Sequence, residues 1–235
     1  MLNIFIILLS AHIFGDFLLQ TGGMVKNKGK WWVLLIHAMI HGVLAYVLLQ
    51  QWRGLEVPLA VAAFHGLIDF FKSRRASSPA AFAWDQAAHL VSLAIIGHLG
   101  AWLGWCVPFS GHGWIWIVGL AGFVAAVLGT GFFVGAVAEK LIAANPELSA
   151  NIAAGLKDGG KQIGRLERAL IFAFILAGQP TGIGFLIAAK SILRFQEAKQ
   201  QPAAEYVLIG TLWSFGLAMT IAWLTQYAIR LGVTP

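Results

Sequence analysis

The chain has 235 residues, 59% hydrophobic and only 11% charged, with ten Trp and a formal net charge of +6. An ordinary soluble domain carries about 25% charged residues, so this composition excludes one and predicts an integral membrane protein. The basic balance does not imply nucleic acid, because Lys and Arg gather between apolar stretches; the one cysteine, Cys106, excludes an internal disulfide and a Cys-rich zinc module.

A spanning helix needs about 20 mostly apolar residues. The apolar runs predict helices at about 2–20, 31–50, 57–72, 83–106 and 114–138. The first run, MLNIFIILLSAHIF, lacks a basic leader and a small-residue cleavage site and is read as a retained helix. Residues 139–164, with Pro146 and several Gly and Asn, predict a short interfacial helix and a loop. Residues 165–195 are apolar but interrupted by GQPTGIG, and a last helix follows at about 204–230. The expected organisation is thus a five-helix region over 1–138, a cytoplasmic amphipathic or loop segment over 139–164, and a closing region over 165–235.

Charge sets the expected topology. Lys26, Lys28 and Lys30 follow the first helix, Lys72, Arg74 and Arg75 the third, and Lys140, Lys157, Lys161, Arg165 and Arg168 the fifth. The positive-inside rule puts these loops in the cytoplasm and the N-terminus outside. A single span over 165–195 would place Lys190, Arg194 and Lys199 outside. A re-entrant hairpin keeps both ends cytoplasmic and is favoured over a plain span, since broken backbone at membrane depth is tolerated where it is buried in protein. The fold class is therefore all-α, a polytopic transmembrane bundle of about six full spans plus a re-entrant helical hairpin near 165–195.

The first four apolar segments each carry one pair of His or Asp residues four positions apart: His12/Asp16, His37/His41, His65/Asp69 and Asp85/His89. Residues at i and i+4 share one helix face. With seven His and four Asp in the chain, random placement gives about 0.5 such pairs. Ionisable groups in a membrane helix cost about 2.5–3.5 kcal/mol near its centre and point to function. The expected topology puts all eight within about 15 Å of the cytoplasmic surface, at ~1.5 Å rise per residue. Eight ligands exceed the need of one zinc and suit two divalent ions, zinc first and manganese or iron next. Such a site lowers the pKa of a bridging water and clamps the attacked group. The alternative is a buried hydrogen-bond network without metal.

Other polar residues share these faces. Lys72 points with His65 and is a candidate catalytic contact to an anionic group, or else a side chain snorkelling to the interface. Gln20 and Gln86 are candidates for orienting ligand side chains. His98 and His112 are read as bystanders, and Trp31, Trp32, Trp114 and Trp116 as interfacial aromatics. Near the cytoplasmic ends of the last segments lie Glu167, Arg168, Lys190, Arg194 and Glu205. They predict either an ion-pair network or a substrate site, with Glu167 or Glu205 as proton shuttle and Arg168, Lys190 and Arg194 holding an anion.

The runs AHIFGDFLLQ, HAMIH, HGLIDFFK and DQAAH resemble the N-terminal half of bacterial membrane proteins grouped as domain of unknown function 3307. IGRLERALI, IAAKSILRF and EYVLIGTLWS resemble its C-terminal half. The resemblance implies a bacterial inner-membrane protein and supplies no activity. A looser analogy, in style of intramembrane His/Asp clusters, is to membrane-bound metal-dependent hydrolases. The expected function is hydrolysis of a lipidic or small anionic ester or phosphoester. Transport coupled to ions or protons is the alternative, because intramembrane His and Asp also make ion paths. A diiron lipid oxidase would be expected to show HxxHH-type boxes, which are absent from the sequence.

Overall fold

The computed structural model describes residues 1–52, 54–73, 78–107, 113–145, 158–193 and 201–232. Among them no strand occurs. The helices are α1 (Leu2–Ile13), continued by a π-helical segment Phe14–Leu19, then α2 (Gly22–Lys26), α3 (Trp31–Leu49), α4 (Glu56–Lys72) and α5 (Pro79–Trp102). They are followed by α6 (Trp114–Val124), a second π-helical segment Ala125–Gly129, α7 (Thr130–Ala144), α8 (Gly159–Leu176), α9 (Thr181–Leu193) and α10 (Gln201–Leu231). Among the described residues, five helices are long and apolar enough to cross a membrane: Leu2–Leu19, Trp31–Leu49, Pro79–Trp102, Trp114–Ala144 and Ala204–Leu231. The expected third span, α4, has 17 residues, the short limit of about 17–25 for a crossing.

The helix of the expected 83–106 span starts earlier, at Pro79, because Ser78 accepts from the Ala81 amide and caps it while Pro79 supplies a preset first turn. It ends at Trp102 rather than 106, where Gly104 takes a left-handed φ of 72°. The fifth span likewise runs on to Ala144 through a π-helical segment, so residues 139–144 continue that helix. Most of the expected loop, residues 146–157, lies outside the described residues.

The chain divides into two compact units, Met1–Val124 with Tyr227–Pro235, and Ala125–Gln226. In the first, α1 is the central helix and packs against α3, α5 and α6. Ile4, Ile7, Leu8 and Ala11 of α1 meet Ala45, Leu49, Val57, Val61, Leu93 and Ile96 in an apolar core. α3 and α4 approach closely because Gly66 lies against Ala38 and Gly42 against Ala62 and the Pro58 carbonyl, where a Cβ would already be at 3.0–3.1 Å. This core fills one half of the bundle. The other half, formed by the C-terminal end of α1, the N-terminal half of α3, the C-terminal half of α4 and the N-terminal half of α5, is where the polar residues fall.

The surface of the unit is apolar, as lipid contact requires. Trp31 and Trp116 face outward, the latter 80% exposed. Trp114 corrects the expectation of an interfacial residue: it is buried in the core, and its Nε1 donates to the Ala228 carbonyl at 3.0 Å.

In the second unit, α8 ends in a Schellman turn. The Gln179 amide reaches the Phe174 carbonyl at 2.7 Å, the Gly178 amide reaches Ile175, and Gly178 takes φ 70°. α9 then starts at once, with Gly182 against the Phe174 ring. The GQPTG interruption is therefore a tight turn between two helices. Ile171, Phe172, Ile175, Ile183, Phe215, Ala218 and Ala222 form this unit's core.

Candidate metal centre

Four consecutive long helices deliver their His/Asp pairs to one place. All eight side chains are buried, none more than 8% exposed. Asp16 sits at the middle. Its Oδ1 lies 3.1 Å from His37 Nε2, 3.2 Å from His41 Nε2 and 3.6 Å from His65 Nε2, and its Oδ2 lies 3.7 Å from His12 Nε2. Asp69 Oδ2 lies 3.4 Å from His37 Nε2 and 3.8 Å from His65 Nε2. His89 Nε2 is 3.6 Å from Asp85 Oδ1 and 3.9 Å from Asp69 Oδ1. The imidazoles also meet face to face: His41 and His65 stack with centroids 3.4 Å apart, and His65 and His89 at 4.2 Å.

Two local features make this arrangement possible. Asp16 lies in the π-helical segment that continues α1, and such wider turns recur at functional sites. Gly15, beside it, lies directly under the His41 ring, and a Cβ there would overlap the imidazole. Gly15→Ala should therefore force His41 out of place at a cost of about 1–3 kcal/mol. A thermal-shift measurement showing unchanged stability, with His41 still in its position, would contradict this packing.

The expected orienting residues are in contact with the centre. Gln20 Nε2 donates to His37 Nε2 at 2.9 Å. Gln86 Nε2 donates to Asp85 Oδ2 at 3.2 Å and to Asp16 Oδ2 at 3.4 Å, while its Oε1 faces His12 Nε2 at 3.4 Å. Lys72 pairs with Asp85 Oδ2. Lys28, read from sequence only as a topology residue, turns back into the bundle and pairs with Asp69 Oδ2 at 2.8 Å. The short helix α2, capped by Thr21, brings the chain round to that position. His98 is exposed on α5, and His112 lies outside the described residues.

The donor set crowds one imidazole nitrogen. His37 Nε2 has four polar neighbours within 3.4 Å: Gln20 Nε2, Asp16 Oδ1, His65 Nε2 and Asp69 Oδ2. A neutral imidazole nitrogen offers one proton or one lone pair. If it accepts from Gln20, its lone pair faces two carboxylate oxygens. Several buried polar atoms have no hydrogen-bond partner, among them His12 Nδ1, His37 Nδ1, His41 Nδ1, His89 Nε2 and Asp85 Oδ1. Orphaned polar atoms are expensive and call for an explanation, an ion among them. Ligands at 2.0–2.2 Å from a tetrahedral zinc stand about 3.3 Å from each other, close to the separations found here. Among the described residues, three groups have ligand atoms within 4.8 Å of one another: His12, Asp16, His41 and His65; His37, His65 and Asp69; and Asp69, Asp85 and His89. These buried His/Asp groups fit a metal ion in number, chemistry and spacing.

The C-terminal residues belong to the second unit. Glu167 and Lys190 form an ion pair at 2.8 Å, and the Lys190 ammonium lies 5.1 Å from the Phe215 ring centroid. Arg168 is buried, donates Nε and Nη2 to the Val127 carbonyl in the π-helical segment, and Nη1 to Ser214 Oγ at 3.1 Å. Gly131 and Gly164 line its guanidinium. Glu205 is exposed on α10, and Arg194 lies outside the described residues. Glu167 is thus held in an ion pair, and Arg168 by a backbone carbonyl and a hydroxyl.

Fold and centre together define a class, a multi-helix membrane protein whose interior holds five imidazoles and three carboxylates. Within that class, residues 4–117, which include all eight, match the model of a family described as protein of unknown function (DUF3307). The C-terminal runs that resemble the family lie outside the matched residues. No curated protein and no solved structure matches the chain, and the analogy to membrane-bound metal-dependent hydrolases gains no support from these comparisons.

Proposed function

We propose that this centre holds two divalent ions, zinc first and manganese or iron next, and hydrolyses an ester or phosphoester of a lipidic or small anionic substrate at the cytoplasmic leaflet of a bacterial inner membrane. The observation that carries the proposal is the crowding of His37 Nε2 by two carboxylate oxygens and a second imidazole nitrogen. Of the three ligand groups, two share no residue: His12, Asp16, His41 and His65 would hold one ion, and Asp69, Asp85 and His89 the other. His37, between Asp16 and Asp69, would face both.

Bound there, two ions would lower the pKa of a water molecule and polarise the attacked group. The protein's own part is orientation and charge. Gln20 and Gln86 fix His37, His12 and Asp16 by hydrogen bonds. Lys28 and Lys72, partly exposed at 15% and 35%, are the cations that would meet an anionic group. Both lie at the end of the bundle that the basic residues assign to the cytoplasm, with the N-terminus outside.

The test is turnover by the full-length protein in lipid nanodiscs. Fatty-acid release from a glycerophospholipid and phosphate release from phosphatidate should be followed before chelation, after it, and after zinc is restored. Activity towards one bond that is lost and regained supports hydrolysis; a metal-loaded, folded protein inactive on both contradicts it. Ion- or proton-coupled transport is a second reading, favoured by the closure of the centre, whose eight side chains are all buried. Uptake of zinc or protons into liposomes carrying the protein would support that reading.

A further inference from the structure

The two disjoint ligand groups differ in charge, and the difference has a functional meaning. The group of His12, Asp16, His41 and His65 has three imidazoles and one carboxylate, and among the described residues no ammonium pairs with that carboxylate. In the group of Asp69, Asp85 and His89, each carboxylate already holds an ammonium: Lys28 on Asp69 at 2.8 Å and Lys72 on Asp85. Two carboxylates and two ammoniums sum to zero charge. A divalent ion held by Asp69 Oδ1 and Asp85 Oδ1, the oxygens that face His89, would share both carboxylates with the ammoniums already on Oδ2, and would place two positive charges beside a doubly charged ion.

We propose that the Asp69/Asp85/His89 group takes its ion only together with a phosphomonoester anion. The anion draws Lys28 and Lys72 off their carboxylates and is held between the two ammoniums and the ion. Both lysines have the reach for this: their side chains are partly exposed, and a flexible four-carbon stem lets the ammonium swing outward. Phosphate matches the demand, since a dianion offsets the two displaced charges and its oxygens accept from ammoniums. The other group fills without an anion. Only with substrate present does the centre become two-metal, which keeps a hydrolytic site unassembled in an otherwise reactive lipid surface. This proposal rests on the metal-binding reading above.

The test is equilibrium dialysis of the full-length protein against buffered zinc in phosphate-free solution, with bound zinc counted by elemental mass spectrometry. Three conditions are compared: no anion, glycerol 3-phosphate in solution, and nanodiscs in which about a tenth of the phosphatidylcholine is replaced by phosphatidate. We expect one zinc per chain without anion, and a second whose affinity rises about tenfold or more with the phosphomonoester. A response to glycerol 3-phosphate identifies a water-borne ligand, and a response to phosphatidate alone a lipid headgroup. Lys28→Met/Lys72→Met should bind the second zinc without anion. Two ions in the wild type without anion, or one ion under every condition, overturns this proposal and leaves metal binding intact. No zinc under any condition overturns metal binding itself. The wild-type comparison decides the matter even if the double variant does not fold.

Discussion

Asp69→Ala is expected to be the most damaging single substitution in the chain. Asp69 is almost wholly buried, accepts Lys28 at 2.8 Å, and belongs to two of the three ligand groups. Without it, a largely buried ammonium loses its counter-charge, at a cost of about 3–5 kcal/mol for a buried pair. The double variant Asp69→Ala/Lys28→Met removes both charges and should recover most of that stability. It should not recover the ion of the Asp69/Asp85/His89 group. Thermal unfolding, and metal content measured with a phosphomonoester present, separate the two roles of the carboxylate. If the double variant then binds two ions as the wild type does, Asp69 is no ligand.

The second large effect is expected at His65. Its Nε2 is common to the groups around Asp16 and Asp69, and its ring is stacked between those of His41 and His89. His65→Ala should weaken metal binding by more than about 100-fold, whereas Gln86→Ala, which removes a residue that only orients ligands, should cost about 10–100-fold. Competition against a chromophoric chelator reads both numbers. Equal losses in the two variants would mean that the imidazole acts only through packing.

These effects are placed on residues that the sequence singled out by spacing alone. A period of 3.6 residues puts i and i+4 on one face, so four such pairs in four consecutive apolar runs predict four polar faces. Their convergence follows because burying a charged face in a bilayer leaves one place for it, against the other charged faces. Gln20 and Gln86 were visible for the same reason, lying one turn or one residue from the pairs. What the sequence did not show is non-local. Lys28 reaches Asp69 across 41 positions of chain, and nothing in the periodicity distinguishes it from Lys26 or Lys30. The π-helical segment that carries Asp16 is stabilised by the packing around it, and a 3.6-residue pattern does not announce it. Gly15 reads as an ordinary helix glycine until His41 is seen lying over it. Trp114 misled because an aromatic residue at a span end signals an interface, yet here the last turns of α10 cover it and accept its indole proton.

The C-terminal residues illustrate the opposite case. Glu167, Arg168 and Lys190 read in sequence either as an ion-pair network or as an anion site, because the charges cluster. In the structure, a carboxylate satisfies Lys190, and a backbone carbonyl with a hydroxyl satisfies Arg168. Charges engaged in this way hold helices together before they hold a ligand.

The central claim, that the His/Asp centre binds metal, is tested most directly by elemental mass spectrometry of the full-length protein purified without a polyhistidine tag. Wild type is to be compared with the His37→Ala/His65→Ala variant. The account predicts at least one zinc, manganese or iron ion per wild-type chain and loss of that metal in the variant. A folded wild-type protein that carries no metal, and takes up none on reconstitution with each of the three, would contradict it and leave a buried proton-sharing His/Asp network in its place.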